Sequence, residues 1–165
     1  MKRFKLGAAL AALSLSACAP APLTDARKTE ITTEVTQRVT AFVRQLRAPV
    51  ADSVVAFYDS SMVFGRAGVL VPFESLAVNT RKWPAGLSAV LGMNGAKVVV
   101  LAPDAAVYSA RLSGVVKDSS GQREITGAVT FVLQKRGGVW RFVAAHESSP
   151  IVQWVHESEG SAARR

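Results

Sequence analysis

Apolar residues fall at helical spacing through the first part of the chain and at strand spacing through the second. Ile31, Val35, Val39, Phe42, Val43 and Leu46 lie on one face of a 3.6-residue repeat and predict a long amphipathic helix. Thr24 is placed to cap it, with Asp25 in the first turn near the positive end of the helix dipole. Glu30, Glu34, Arg38 and Arg44 are expected on its water-facing side. Pro49 suits the first turn of a shorter second helix carrying Val50, Val54, Val55 and Phe57. Residues 60–71 read as a short hairpin around Gly65 and Gly68. Pro72 opens a third helix, which should stop at or before Trp83 because Pro84 disfavours helical geometry at the residue before it.

After Gly86 the period changes to two. Residues 88–101 are apolar and β-branched, interrupted near Asn94-Gly95. A long strand is predicted over 105–116. A third runs over 123–135, with Ile125, Val129, Phe131 and Leu133 on one face. Gly137-Gly138 marks a tight hairpin turn, and 139–148 pairs back as the last strand. Helices followed by a run of antiparallel strands give an α+β class, a curved antiparallel sheet wrapped by three N-terminal helices.

The stretch ahead of the first helix changes the picture. Lys2, Arg3 and Lys5 form a basic start, residues 6–15 an Ala/Leu-rich apolar run, and Leu15-Ser16-Ala17 leads into Cys18, the only cysteine. The apolar run is shorter than the roughly 20 residues a spanning helix needs. It has the parts of a secretory signal. Leu15-Ser16-Ala17-Cys18 resembles the lipobox of bacterial lipoproteins, which implies cleavage before Cys18 and a diacylglyceryl thioether on that thiol. The expected divisions are 1–17 signal peptide, 18–25 lipidated Cys18 and tether, 26–150 the folded domain, and 151–165 a C-terminal tail. The expected place is the cell envelope, lipid-anchored to a membrane. Ala19, rather than Asp, after the cysteine points to the outer membrane, facing the periplasm, under enteric-type sorting.

The formal charge of +8 includes the three cations of the leader, so the rest of the chain carries about +5, with acids interspersed among the bases. Neither that distribution nor a secreted location fits a nucleic-acid partner. His146 and His156 are the only histidines, and no spacing matches a zinc site, so no metal or other cofactor is expected. Gly65-Arg66-Ala67-Gly68 lacks the lysine and the strand-to-helix setting of a phosphate loop.

Lys135 to Val143 with the late His146 and Ser148 resembles the closing hairpin of SnoaL-like domains in the nuclear transport factor 2-like superfamily, and the order of elements is similar over roughly 26–150. The resemblance implies a cone of sheet with an interior pocket and frequent dimerisation. Its members include ketosteroid isomerases, polyketide cyclases, epoxide hydrolases, dehydratases, kinase association domains and non-catalytic accessory domains, so the resemblance leaves function open.

The weak catalytic candidates are Asp52, Tyr58 and His146. A carboxylate in an apolar cone has a raised pKa suited to a base, and an imidazole at its mouth can move protons near neutral pH. His146 shares strand parity with Trp140, Phe142 and Ala144, which points it inward. Asp52 is equally explained as a first-turn dipole partner, Asp59 as a turn former and His146 as a hydrogen-bonding residue. Trp83, Tyr108, Phe131 and Trp140 are candidates to line the pocket, and Arg111 is expected to face outward. The leading expectation is an envelope lipoprotein whose cone binds a small apolar ligand or a partner protein without catalysis; a further reading is a pure interaction module that forms a homodimer through the open sheet face. The alternative is a small isomerase, cyclase or hydrolase acting on an apolar substrate.

Overall fold

The computed structural model describes residues 22–148 other than 67. The leader, Cys18 and the tail with His156 lie outside the described residues. Helix α1 spans Asp25–Gln45, with the Thr24 hydroxyl accepting from the Arg27 amide at 3.2 Å. It buries Ile31, Val35, Val39, Phe42 and Val43, the stripe expected from the sequence. Helix α2 is Ala51–Val55, strands β1 and β2 are Tyr58–Arg66 and Val69–Pro72, and helix α3 is Phe73–Arg81. Pro49 stands just ahead of α2 rather than in its first turn, since Val50 is the cap residue. Strands β3 (Ser88–Ala102), β4 (Ala105–Asp118), β5 (Gly121–Arg136) and β6 (Val139–Glu147) complete the chain.

The six strands form one sheet in the order β2-β1-β6-β5-β4-β3. Every pairing is antiparallel except β1 with β6. Gly137 and Gly138, at φ of 57° and 81°, make the two-residue turn between β5 and β6. Both angles lie in the left-handed backbone region, which such a hairpin turn needs to match the right-handed twist of its strands and which residues with a Cβ resist. Asn94 and Gly95 mark a shift in the β3–β4 register rather than a break in the strand.

The inner face of the sheet receives α1, and α3 lies over β1 and β2. Phe142, Leu133, Ile31, Val35 and Val54 are fully enclosed, and Phe131 and Trp140 are buried with them as the alternation predicts. A smaller cluster of Leu112, Val116 and Ile125 closes the far end of the sheet.

Two helix residues expected in water are partly covered. The Glu34 carboxylate accepts from the Lys135 ammonium and the Trp140 indole N–H, both at 2.6 Å. These bonds, the Lys135 bond foremost, hold its pKa below the usual carboxylate range. Arg38 lies over the Phe57 ring, 3.9 Å from its centroid. Both flank the apolar stripe of α1, where long side chains pack their stems and keep only the head polar.

Candidate functional site

The interior of the cone is occupied by rings. Phe142 stands at the centre, 4.7 Å from Phe131, 5.0 Å from Phe42 and 6.2 Å from Tyr58 between centroids. Phe42 meets Phe57 and Phe131 edge-on, and Tyr108 lies 6.2 Å from Phe131. These spacings are those of packed aromatic pairs. Of the expected lining residues, Tyr108, Phe131 and Trp140 are buried in this packing. Trp83 sits at its edge and also lines an open cleft of about 170 Å³ between the start of α2 and the end of α3, together with Pro49, Thr80 and Leu87.

The three weak catalytic candidates are placed apart. Asp52 is on the exposed side of α2, where its carboxylate accepts from Arg81 Nε at 2.9 Å and ties α2 to α3. Tyr58 begins β1 and packs against Phe42 and Phe142, with burial raising the pKa of its phenol. His146 faces out of the cone and is exposed, which corrects the inward orientation expected from strand parity. The cause is a bulge. Val132 pairs with Ala144 but Leu133 pairs with Phe142, so Val143 is an extra residue in β6. One inserted residue reverses every side chain beyond it. Ala145 and Glu147 therefore turn inward, and His146 turns out beside Gly65.

Asp59 is buried, and its carboxylate accepts from the Ser61 amide at 3.0 Å and the Ser61 hydroxyl at 2.7 Å. Those bonds keep its pKa low, so it is an ionised turn anchor rather than a raised-pKa base. Arg111 is exposed on the outer face, as expected.

The most unusual polar group of the interior is Arg66, only 6% exposed on the last position of β1. Glu147 is its register partner on β6. Burial pushes the guanidinium down to about 10, against an opposing pull from Glu147. One of its terminal nitrogens is enclosed with no acceptor. Arg66 lies in the Gly65–Gly68 stretch, where the sequence places the turn of the hairpin and no buried position. The available signal was its even parity with Met62 and Phe64. Tyr58 and Arg66, on the inner wall, both feel the charge of Glu147. Among the described residues no cluster of three or more His, Cys, Asp or Glu side chains is placed to hold a metal ion.

No family model and no curated protein matches the sequence. The likeness to solved structures is clear. The hub homology domain of a calcium/calmodulin-dependent kinase from Chlamydomonas reinhardtii superposes with a TM-score of 0.62 at 19% identity, over 72% of this chain and 96% of that one. A ketosteroid isomerase-like protein from Erwinia carotovora gives 0.60 at 16% identity, over 72% and 95%. A type 2 hexachlorocyclohexane dehydrochlorinase gives 0.63 at 10% identity, over 77% and 90%. The fold is the nuclear transport factor 2-like cone. At these identities the likeness carries the architecture and no activity. Enzymes and non-enzymatic domains both stand among its neighbours.

Proposed function

We propose that this chain is an envelope lipoprotein, anchored through lipid on Cys18, whose cone is a non-catalytic interaction module. The observation that carries the reading is the ring-filled interior: Phe42, Phe131 and Phe142 pack against one another at its centre. The separation of Asp52, Tyr58 and His146 supports the same conclusion, because proton transfer needs its groups within hydrogen-bond reach of one reacting atom.

The partner we favour is a second copy, met through the outer face of the sheet. Register places Val99, Val107, Val132, Ala144, Val63 and Pro72 side by side across all six strands. Val99 is 56% exposed and Val63 39%. An apolar row of this length on a face turned away from the helices favours a two-fold, self-complementary contact.

Two measurements test the reading. Cys18→Ser should move the protein from the membrane fraction to the soluble fraction or stall it as an uncleaved precursor. Normal processing with full membrane retention would overturn the anchor. Sedimentation of the chain from Ala19 onward should show a dimer that Val99→Glu with Val107→Glu turns into a folded monomer. A wild-type monomer at high micromolar concentration removes the second-copy partner. Turnover of an apolar ketone, lactone or epoxide that disappears in a folded Tyr58→Phe variant would replace the non-catalytic reading with the enzymatic one.

A further inference from the structure

Two guanidinium groups on the outside of the cone share one carbonyl oxygen. Arg38 reaches from α1 and Arg141 from β6. Arg38 Nη2 donates to the Ala56 carbonyl at 3.3 Å, and Arg141 Nη1 donates to the same oxygen at 3.2 Å. Arg141 Nη1 also lies 3.4 Å from the Tyr58 carbonyl. A third guanidinium, Arg136, stands 3.5 Å from the Asp59 carboxylate, which also feels the charge of Arg141. Arg136 and Arg141 thus stand near one carboxylate, and Arg38 joins them only through the Ala56 carbonyl.

Like charges brought together and partly removed from water repel, and proteins normally set a carboxylate between them. Among the described residues neither Arg38 nor Arg141 takes part in an ion pair. The Nε of Arg38 is enclosed without an acceptor, so hydration has been given up with no counter-charge in return. Stacking on Phe57 fixes the plane of that fork. Neutral backbone carbonyls accept from one terminal nitrogen of each arginine, Ala56 from both and Tyr58 from Arg141, and no carboxylate among the described residues pairs with either fork.

We propose that Arg38 and Arg141, with Arg136 at the rim, form a binding site for a phosphate group. A carboxylate matches one guanidinium fork. A phosphate offers three acceptor oxygens and one or two charges, which is what adjacent forks with a net surplus of positive charge require. The phosphate belongs either to a phospholipid headgroup or to a soluble phosphate ester. The headgroup source rests on the lipoprotein reading, and the geometry allows it. Arg38 lies about 20 Å along α1 from Thr24, and the tether from Cys18 to Thr24 spans about 20 Å when extended. A chain held at Cys18 can therefore lay this side of α1 against the headgroups.

The test uses the chain from Ala19 onward, which keeps every described element and carries no lipid of its own. Inorganic phosphate should raise its melting temperature above that in chloride at equal ionic strength, because a ligand that binds only the folded state stabilises it. Arg38→Gln and Arg141→Gln should each weaken phosphate binding on the order of tenfold. Arg111→Gln, on the outer sheet face, should leave it unchanged. Flotation with vesicles of phosphatidylcholine and phosphatidylglycerol, beside vesicles made equally negative with a fatty acid, separates the sources. Recruitment by the phospholipid alone, lost in the same two variants, assigns the headgroup. Phosphate stabilisation without recruitment assigns a soluble phosphate ester. The same melting temperature in phosphate and chloride overturns the site, and so does an equal loss in Arg111→Gln. If either variant fails to fold, the exposed Arg136→Gln decides. Its phosphate-induced rise should be smaller than that of Arg111→Gln, which keeps the intact site along with the general stabilisation any protein gains from phosphate, and equal rises overturn the site. Because this chain lacks Cys18, failure here is distinct from failure of the anchor, which the Cys18→Ser fractionation reads separately.

Discussion

Replacing Phe142 with Ala is expected to remove about 3–5 kcal/mol of folding stability. The side chain is fully enclosed and touches the rings of Phe42, Phe57, Tyr58 and Phe131. Truncation loses the transfer energy of the ring and leaves a void that neighbours on two strands and a helix cannot all move to fill. Single domains carry only about 5–15 kcal/mol in total. A loss of this size should lower the melting temperature by roughly 10–20 °C in a domain of this length. Urea unfolding of wild type and variant, read at equal slope, measures it. Phe142→Leu should lose much less, since it keeps most of the volume. The experiment also bears on function. If the interior were a loosely filled pocket that opens for a ligand, the ring would already have room to move. A loss under about 1 kcal/mol would then point back to a hollow cone.

The elements that depend on short-range pattern were legible in the chain. The stripe from Ile31 to Val43 and the Gly137-Gly138 turn each follow from residues within a few positions of one another. The curved sheet with helices on one face follows from their order. What the pattern could not carry is irregularity and distance. Period-two reading assumes an unbroken ladder, and one extra residue at Val143 was enough to turn His146 out of the cone and Glu147 into it. Glu34 and Arg38 were expected in water because both are charged and lie off the apolar stripe. The partners that cover Glu34 stand more than 100 positions away, in Lys135 and Trp140. Asp52 finds Arg81 across 29 positions, and Arg38 meets Arg141 only through the Ala56 carbonyl between them. No local propensity encodes such meetings; they appear only when the sheet closes. Cys18 is the reverse case: the lipid anchor proposed for it rests on four consecutive residues, Leu15-Ser16-Ala17-Cys18, and not on the fold.

Gly114→Val should be the most damaging change on the sheet outside the ring cluster, at about 3 kcal/mol, with Gly114→Ala at about 1–3 kcal/mol. The backbone there is ordinary strand, so the constraint is space rather than conformation. Gly114 lies between Leu91 on β3 and Ile125 on β5. A Cβ at this position would run into the Val90 carbonyl oxygen, with the Leu91 Cα at 3.0 Å and its Cδ2 at 3.1 Å behind it. Two of those three atoms are backbone and cannot rotate aside. Strand β3 would have to lift away from β4 where the sheet coils around Leu112, Val116 and Ile125. The damage should therefore be uneven. Amide exchange should quicken first in β3 near Val90, while β5 and β6, which pair with each other, stay protected. Because β3 also carries Val99 into the outer apolar row, the same variant should weaken self-association at concentrations where the monomer remains folded. Gly114→Ala with unfolding free energy and β3 exchange both equal to wild type would mean that the close approach of the two strands is not a feature of the protein in solution.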